Sequence, residues 1–542
     1  MSSPTGTGGT AHKVVKREAF GSRNVFILSA IGSAVGLGNI WRFPYVAYEG
    51  GGGAFLVPYL CALLTAGIPL LFLDYSIGHR FRGSAPLAFR RLNRKTEVLG
   101  WWQVLICVVI AVYYAAIIAW STMYTAFSAT LAWGKGNEGS FFEGEFLQLS
   151  KPTDGVTFDY VPGVLWPMLG VWAVILVIMV LGVKKGIGMA NNIFMPLLTV
   201  MFLIMVIQAV MLPGAMDGLN AFFTPNWEAL KDPAVWASAY GHIFFSLSVA
   251  FGIMVTYSSY LKRKTDLTGS GLVVGFANSS FEILAGIGVF AALGFMAQSS
   301  GQGVEDVVSG GIGLAFVAFP TIASNAAGGS IIGMLFFGSL VFAGVTSLIS
   351  ILEVIVAAVQ DKLGWARVKA TLVVTIPIAI VSIVLFASTS GLFVLDITDA
   401  FINQFGIMAV AFVTVLVVAY GVRALPKLAA HLNGRSTFKV GLIWRLLVGI
   451  VGPLALGYML VSEIIAKTSE PYEGYPGGML AVFGWGMVAA VIVLSVVLSM
   501  IPWGPNSKAK NDPEYREFLA AEGHEPDREQ IAGSADGEGV RS

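Results

Sequence analysis

The sequence predicts an all-α polytopic membrane protein with about twelve transmembrane helices. Of its 542 residues, 56% are hydrophobic and only 12% are charged, whereas about 25% of the residues in a soluble domain are charged. Apolar windows of about 20 residues, the length that crosses a bilayer, recur along the whole chain. The predicted spans are 26–47, 54–80, 100–131, 163–182, 190–213, 235–261, 270–298, 326–360, 368–388, 397–421, 439–463 and 477–501. The lipid bilayer is therefore the expected surrounding, and the net charge of +1 gives no indication of a nucleic-acid partner.

Basic residues in the short loops predict how the spans are oriented. Lysine and arginine are retained on the cytoplasmic side, and they cluster at 79–82, 90–95, 184–185, 262–264 and 362–369. The intervening loops carry acidic residues instead. Both termini are thus expected in the cytoplasm of a multi-pass plasma-membrane protein, with no cleavable signal peptide before the first span. The polar stretch from Pro505 onward is expected to be a solvated extension.

Two of the predicted spans contain residues that interrupt a plain membrane helix. Residues 32–45 of the first span include three glycines, Asn39, Arg42 and Pro44, and residues 244–252 of the sixth mix hydroxyls, small residues and aromatics. Irregular backbone persists at membrane depth only where it lines a cavity or binds something, because an unsatisfied polar group costs several kcal/mol there. Close packing of small residues is an alternative for the sixth span alone. Paired interruptions in two groups of five helices indicate an inverted-repeat transporter with a site at the midplane.

Specific motifs then identify a family. Gly32-Ser-Ala-Val-Gly-Leu-Gly-Asn39, Trp41-Arg42-Phe43-Pro44-Tyr45 and Gly51-Gly-Gly-Ala-Phe55-Leu-Val-Pro58-Tyr59 closely resemble the signature of the neurotransmitter:sodium symporter family. The resemblance runs from Arg17 to about Trp503 and is closest to the bacterial branch that includes the leucine transporter. It implies an inverted repeat of five and five helices in which helices 1 and 6 are unwound at the midplane. The implied divisions are an N-terminal segment 1–22, a first repeat 23–213, a second repeat 235–421, helices 11 and 12 in 437–503, and a cytoplasmic polar tail 504–542.

The resemblance implies two sodium sites and no organic cofactor. Sodium is a hard cation that prefers about five or six oxygen ligands. The first site would use the Ala34 carbonyl, Asn39, Ser246, Asn278 and the carboxylate of the substrate itself. The second would use the carbonyls of Gly32, Val35 and Ala343 with the hydroxyls of Thr346 and Ser347. Those two hydroxyls could instead bond to carbonyls one turn back in their own helix.

The same resemblance implies a site for an amino acid. Its carboxylate would meet the unwound backbone around Leu37 and Gly38 and the hydroxyl of Tyr114. Its amino group would meet carbonyls near Ala34 and Phe245, with Ser246 and Ser248 nearby. Its side chain would lie among an apolar set without a counter-charge, namely Ile110, Phe245, Ala250, Phe251, Ser347 and Ile351. Members of the family that carry monoamines have an aspartate at the position of Gly36, so glycine favours an intact α-amino acid.

Gate residues and an intramembrane acid complete the implied machinery. Arg42 and Asp399 resemble the outer-gate ion pair, and Arg17 and Asp361 resemble the inner gate. Glu282 stands where chloride-dependent members have a serine, so a fixed carboxylate beside the first sodium is expected to replace chloride. His242 stands where glutamine is common. It has two interpretations: a hydrogen-bonded core histidine, or a partner of Glu282 that takes up a proton when sodium leaves.

Together these features predict a sodium-coupled symporter of neutral, hydrophobic amino acids of the leucine, methionine or aromatic type. It would work by alternating access and without chloride. The sequence contains no hydrolase, nucleotide or metal-enzyme motif, so it does not predict an enzyme. Three alternatives stay open: a symporter of a small amino acid such as glycine, proline or γ-aminobutyrate, an amino-acid sensor, and a sodium-leak channel. Oligomerisation and the need for a small accessory subunit also stay open.

Overall fold

The computed structural model describes residues 18–308, 311–510 and 512–521, which form a bundle of helices. In chain order the principal helices are α1 (Arg23–Ala34), α2 (Leu37–Glu49), α3 (Gly53–Phe81), α4 (Ala85–Leu92), α5 (Arg94–Ser128), α6 (Pro162–Val180), α7 (Val183–Val210), α8 (Ala215–Phe223), α9 (Pro233–Ser246), α10 (Ile253–Ser259), α11 (Leu267–Ser300), α12 (Gly311–Asn325), α13 (Gly329–Leu363), α14 (Arg367–Phe386), α15 (Gly391–Gly421), α16 (Leu425–Asn433), α17 (Leu442–Gly474), α18 (Gly477–Met500) and α19 (Pro513–Ala521). Ten of these are long and apolar enough to cross a membrane. The prediction of an all-α polytopic membrane protein is confirmed.

Both predicted interruptions are present. The first span is the pair α1 and α2, which meet at an angle of 54° and count as an eleventh crossing. The predicted sixth span consists of α9, with 14 residues, and α10, with 7 residues. Residues 247–252 separate these two helices, which are each too short to cross a bilayer alone. The division of the chain into two inverted repeats stays a prediction.

Local chemistry explains why the helices break at these points. At the first break, the side-chain carbonyl of Asn39 accepts the backbone N–H of Gly36 at 2.9 Å and so caps the start of α2. At the second break, Ser248, Ala250 and Gly252 have φ values of 52°, 63° and 87°. A non-glycine residue in this left-handed region costs about 1–3 kcal/mol and persists where surrounding structure holds it. Both breaks are therefore built by specific contacts.

Burial separates the central helices from those that face lipid. In the most apolar stretches of α5, α11 and α13, 72%, 72% and 89% of the residues are buried. The corresponding values are 28% for α6 and α18 and 33% for α7, α14 and α17. Apolar side chains remain exposed on these outer helices because lipid, unlike water, solvates them. The first broken span packs against α11 and α13, and the second packs against α3 and α13, which places the irregular backbone inside the bundle.

The basic loops gather at one end of the bundle, as the charge pattern requires. Arg82 donates to the Leu261 carbonyl, and Arg435 donates to the Arg263 carbonyl at 3.0 Å. The membrane sidedness of this end stays a prediction. Its chemistry nevertheless fits the cytoplasmic side, and it is called the basic end below.

The described part of the C-terminal tail differs from the expectation of a solvated extension. Residues 513–521 form α19, in which Tyr515, Phe518 and Leu519 are 8%, 8% and 7% exposed. These apolar residues are spaced three and four apart and so share one face of the helix. That face packs on the basic end, where Phe518 meets the ring of His79. The overall polarity of the tail hides this short amphipathic helix.

Candidate functional site

A hydrogen bond links the second break to the end of α1, and another links it to α3. The hydroxyl of Ser248 donates to the carbonyl of Ser33 at 3.1 Å. A carboxylate oxygen of Asp74, on α3, accepts the backbone N–H of Ala250 at 2.9 Å. Asp74 is 2% exposed, so this buried carboxyl group is committed to the irregular backbone of the second break. The contact gives Asp74 a structural role, in which it holds the backbone of the second break.

Removing the Asp74 carboxylate should destabilise the second break. Asp74→Ala leaves the N–H of Ala250 buried without its acceptor, and we expect the free energy of unfolding to fall by about 2 kcal/mol. Thermal unfolding of the purified variant in detergent measures this loss. Asp217→Ala, which removes an exposed carboxylate from α8, is the matched control. Equal midpoints for the two variants would contradict the role of Asp74.

Three of the predicted ligands of the first sodium ion lie in one buried cluster. The amide nitrogen of Asn39 donates to the side-chain oxygen of Asn278 at 2.9 Å. The amide nitrogen of Asn278 donates in turn to the hydroxyl of Ser246 at 3.0 Å. These residues come from α2, α11 and the end of α9, and each is at most 2% exposed. Ala34, the fourth predicted ligand, ends α1 one residue before the first break. The structure thus brings predicted ligands from both broken spans close together.

The predicted ligands of the second sodium ion lie between α1 and α13. The hydroxyl of Ser347 donates to the carbonyl of Gly32 at 3.4 Å, across the two helices. The hydroxyl of Thr346 lies 3.0 Å from the carbonyl of Ala343 and the same distance from that of Phe342, within its own helix. Val35 follows α1 in an extended conformation, which frees its carbonyl from the helix. Thr346 therefore bonds within its own helix, as the alternative interpretation expects, whereas Ser347 bonds across to α1.

Glu282 is the centre of a fully buried polar network beside the first cluster. One carboxylate oxygen accepts the amide of Asn39 at 2.9 Å and lies 2.8 Å from Nε2 of His242. The other accepts the hydroxyl of Tyr59. Glu282 is 0% exposed, and a buried carboxylate is stable only when such partners satisfy it. Tyr59 was not among the predicted site residues, although it ends the third motif that carries the family resemblance.

Among the described residues, only one of the two ring nitrogens of His242 has a hydrogen-bond partner. Its Nε2 faces Glu282, and its ring packs against Phe43 and Tyr59 with centroid distances of 5.4 Å and 6.2 Å. Among the described residues, its buried Nδ1 has no hydrogen-bond partner. The structure therefore places His242 next to Glu282. Both interpretations of the histidine, as a core hydrogen-bonding group and as a proton acceptor, stay predictions.

The predicted amino-acid site lies beside the first break. The hydroxyl of Tyr114 accepts the backbone N–H of Leu37 at 3.4 Å. A methyl group added at Gly36 would lie 3.1 Å from that hydroxyl and 3.2 Å from the hydroxyl of Ser347, so a larger side chain at this position would crowd both groups. Residues of the predicted apolar set are buried, with exposures of 4% for Ile110, 5% for Ala250, 5% for Phe251, 4% for Ser347 and 4% for Ile351. Phe245 lies over Gly38, where an added methyl would be 2.6 Å from its ring.

The predicted outer-gate residues have other partners in this structure. The Arg42 guanidinium lies over the Phe245 ring, 5.4 Å from its centroid. Asp399 accepts the hydroxyl of Tyr113 at 2.6 Å and the amide of Asn403 at 2.8 Å. Within the described part of the chain, Arg42 and Asp399 do not form an ion pair. Their pairing stays a prediction for the closed outer gate, and sequence reasoning missed Tyr113 as the residue that orients Asp399.

The structure describes one of the two predicted inner-gate residues. Arg17 lies outside the described residues. Asp361, near the end of α13, accepts the backbone N–H of Ser84 at 2.8 Å and lies 3.6 Å from the ammonium of Lys508. It is 2% exposed. The tail therefore contributes a cation to the neighbourhood of this acid, which the sequence did not indicate.

Comparison with known proteins identifies the family of the chain. Residues 17–140 and 136–504 match the sodium:neurotransmitter symporter family. The chain belongs to this family. An uncharacterized sodium-dependent transporter of Methanocaldococcus jannaschii is 39% identical over 488 residues, which cover 89% of this chain and 98% of the relative.

Two further relatives extend the comparison within the symporter family. The sodium- and chloride-dependent glycine transporter 2 of Xenopus laevis is 27% identical over 540 residues, which cover 88% of this chain and 68% of the relative. The crystal structure of MhsT in complex with L-phenylalanine has a TM-score of 0.69 and 32% identity, and the match covers 82% of this chain and 100% of MhsT. The chain is thus a sodium-dependent, multi-pass membrane transporter and not an enzyme.

Proposed function

We propose that the chain is a sodium-coupled symporter of neutral, apolar α-amino acids that needs no chloride. The observation that supports this proposal most strongly is that the predicted sodium cluster adjoins the predicted carboxylate site. Asn39, which bonds to Asn278 in the cluster with Ser246, follows Leu37 by two residues in α2, and the N–H of Leu37 donates to Tyr114. A carboxylate bound at the first break can then contact both the tyrosine hydroxyl and a sodium ion. This shared ligand couples the binding of ion and substrate.

The nature of the pocket supports an α-amino acid with an apolar side chain. Gly36 supplies no anionic side chain to balance an amine that lacks a carboxylate, and the buried set around Phe251 and Ile351 supplies no counter-charge for a charged side chain. MhsT, which is 32% identical, was crystallised with L-phenylalanine. Leucine, methionine and aromatic amino acids are accordingly the proposed substrates.

Alternating access provides the transport step. Sodium and amino acid bind from outside, Arg42 and Asp399 pair, and the helices that carry the two breaks rock to open the basic end. Uphill movement draws on the sodium gradient and on the membrane potential, which supplies about 2.3 kcal/mol per charge per 100 mV. Glu282 provides a permanent negative charge beside the first sodium ion, so chloride is not required.

Competition binding tests the substrate class. Radiolabelled leucine should bind the purified protein only with sodium, and unlabelled methionine, phenylalanine and tryptophan should displace it, whereas glycine and γ-aminobutyrate should not. Tyr114→Phe removes a hydroxyl that would donate to the substrate carboxylate, so we expect the Kd for leucine to rise at least about tenfold. Displacement by glycine alone would favour the small-amino-acid alternative, for which the glycine-transporter relative is the specific support.

The control for Tyr114 is another buried tyrosine outside the proposed site. Tyr257, on α10, donates to Ser350 at 2.7 Å and is not among the predicted site residues. Tyr257→Phe should leave the Kd for leucine within about twofold of the wild-type value, since it removes only an internal hydrogen bond. An equal loss of affinity in both variants would contradict the direct role of Tyr114.

A further inference from the structure

A buried amide oxygen of α7 lies on the third side of the predicted second sodium site. That site is between α1 and α13, and α7 packs against both helices. Asn191, on α7, is 0% exposed. Its side-chain oxygen has no hydrogen-bond partner among the described residues. A buried acceptor without a partner is costly, so a ligand is expected for this oxygen.

The nitrogen of the Asn191 amide fixes the direction in which the oxygen points. The nitrogen donates to the carbonyl of Ile187 at 2.9 Å, one turn earlier in the same helix. A carbonyl can only accept, so the nitrogen faces Ile187 and the oxygen is directed away from it. Ile187 ends a π-helical turn, Val183–Ile187, and such turns are frequent at functional sites. The oxygen is therefore left for a partner outside α7.

The oxygen of Asn191 lies against Gly32, whose carbonyl is a predicted ligand of the second sodium ion. A methyl group added at Gly32 would be 2.5 Å from this oxygen and 3.0 Å from the sulfur of Met195. Glycine therefore leaves the space that the amide occupies beside α1. The carbonyl of Gly32 accepts the hydroxyl of Ser347 at 3.4 Å. Oxygens from α7 and α13 thus both approach α1 at Gly32.

A second oxygen without a partner lies on the same face of α1. Ser29 precedes Gly32 by three residues, so the two positions are neighbours on the helix surface. Ser29 is 0% exposed, and within the described ranges its hydroxyl has no hydrogen-bond partner. A methyl group added at Gly188 of α7 would be 2.9 Å from Val25. Ser29 therefore lies between two points at which α1 and α7 are in close contact.

We propose that the amide oxygen of Asn191 is a further ligand of sodium at the second site, supplied from α7. It adds a sixth oxygen to the five predicted from α1 and α13, and sodium prefers about five or six. A neutral amide oxygen is a suitable ligand for such a hard cation. Sodium bound there connects three helices rather than two. This inference rests on the proposed function, because it requires sodium to bind between α1 and α13.

Binding of radioactive sodium to the purified full-length protein, measured without amino acid, tests this ligand. The first site then lacks the substrate carboxylate, so the second site dominates the measurement. Asn191→Leu replaces the amide by an apolar side chain of similar size, and we expect the half-saturating sodium concentration to rise at least about tenfold. Asn192→Leu, at the exposed neighbouring position, is the matched control and should stay within about twofold of the wild-type value.

Asn191→Asp separates a sodium ligand from an amide that only supports the helix. In mildly alkaline buffer aspartate keeps the side-chain oxygen but has no N–H to donate to Ile187. We expect its half-saturating sodium concentration to be at most about three times the wild-type value. An equal loss of affinity in Asn191→Asp and Asn191→Leu would overturn the proposal, because the N–H group is what both variants lack.

Two further results distinguish failure of this inference from failure of the proposed function. Equal sodium affinity in Asn191→Leu and Asn192→Leu would overturn the role of Asn191. Leucine that does not bind the wild type in the presence of sodium would count against the proposed function. The comparison of sodium binding among the variants contains no leucine, so it still decides whether Asn191 is a ligand.

Discussion

Glu282→Ser should make transport depend on chloride, because we propose that the Glu282 carboxylate takes the place of that anion. The carboxylate of Glu282 accepts hydrogen bonds from Asn39 and Tyr59 in a fully buried network. Its removal leaves the proposed sodium ion and its predicted ligands without the compensating charge, and breaking such a buried pair costs about 3–5 kcal/mol. In chloride-free medium we therefore expect the initial rate of sodium-driven leucine uptake to fall at least about 100-fold. Chloride should restore a substantial part of the rate, since the vacated position can accept an anion.

The measurement compares uptake by reconstituted vesicles in chloride and in gluconate. Glu282→Asp, which keeps the charge, is the control and should remain insensitive to this replacement. Wild-type uptake that itself requires chloride would contradict the role of Glu282. So would a Glu282→Ser variant that transports equally well in gluconate.

Asn39→Ala should nearly abolish transport. The side chain of Asn39 contributes to three features at once, because it caps α2 at Gly36, bonds to Asn278 and bonds to Glu282. Alanine removes a predicted sodium ligand and leaves the carboxylate of Glu282 with one donor fewer. We expect sodium-driven uptake to fall by at least about 100-fold and the sodium concentration for half-maximal leucine binding to rise steeply.

A second asparagine provides the matched control for Asn39→Ala. Asn325 donates to the carbonyl of Thr321 within α12, outside the proposed site. Asn325→Ala should leave the sodium dependence of leucine binding unchanged. If Asn39→Ala bound leucine with wild-type sodium dependence, Asn39 would serve only to cap α2.

The sequence indicated the two breaks because membrane helices tolerate few polar or irregular residues. Asn39, Glu282 and His242 lie in otherwise apolar spans, where an unpaired polar group is costly, so their mutual contact could be expected once the family resemblance aligned the helices. The structure places them together, with 2.9 Å between Asn39 and Glu282 and 2.8 Å between His242 and Glu282. Their contact is predictable because the membrane restricts where a polar side chain can find a partner.

Other parts of the site could not be predicted because common residues gain their roles from distant partners. Tyr59 and Tyr113 resemble any buried tyrosine in the sequence, and only the fold brings their hydroxyls to Glu282 and Asp399. The contact of Asp74 with Ala250 joins positions 176 residues apart. In the tail, α19 has one narrow apolar face within a polar segment, so composition alone predicted solvation. A helix of this kind is stabilised by its docking surface rather than by its own sequence.

Uptake by vesicles with an imposed sodium gradient tests the central claim most directly. The purified protein is reconstituted, and radiolabelled leucine is supplied outside with sodium high outside and low inside. Sodium-coupled symport predicts that leucine accumulates above its external concentration, and that accumulation disappears when sodium is equal on both sides. Sodium-dependent binding of leucine without any accumulation would contradict symport and would favour an amino-acid sensor.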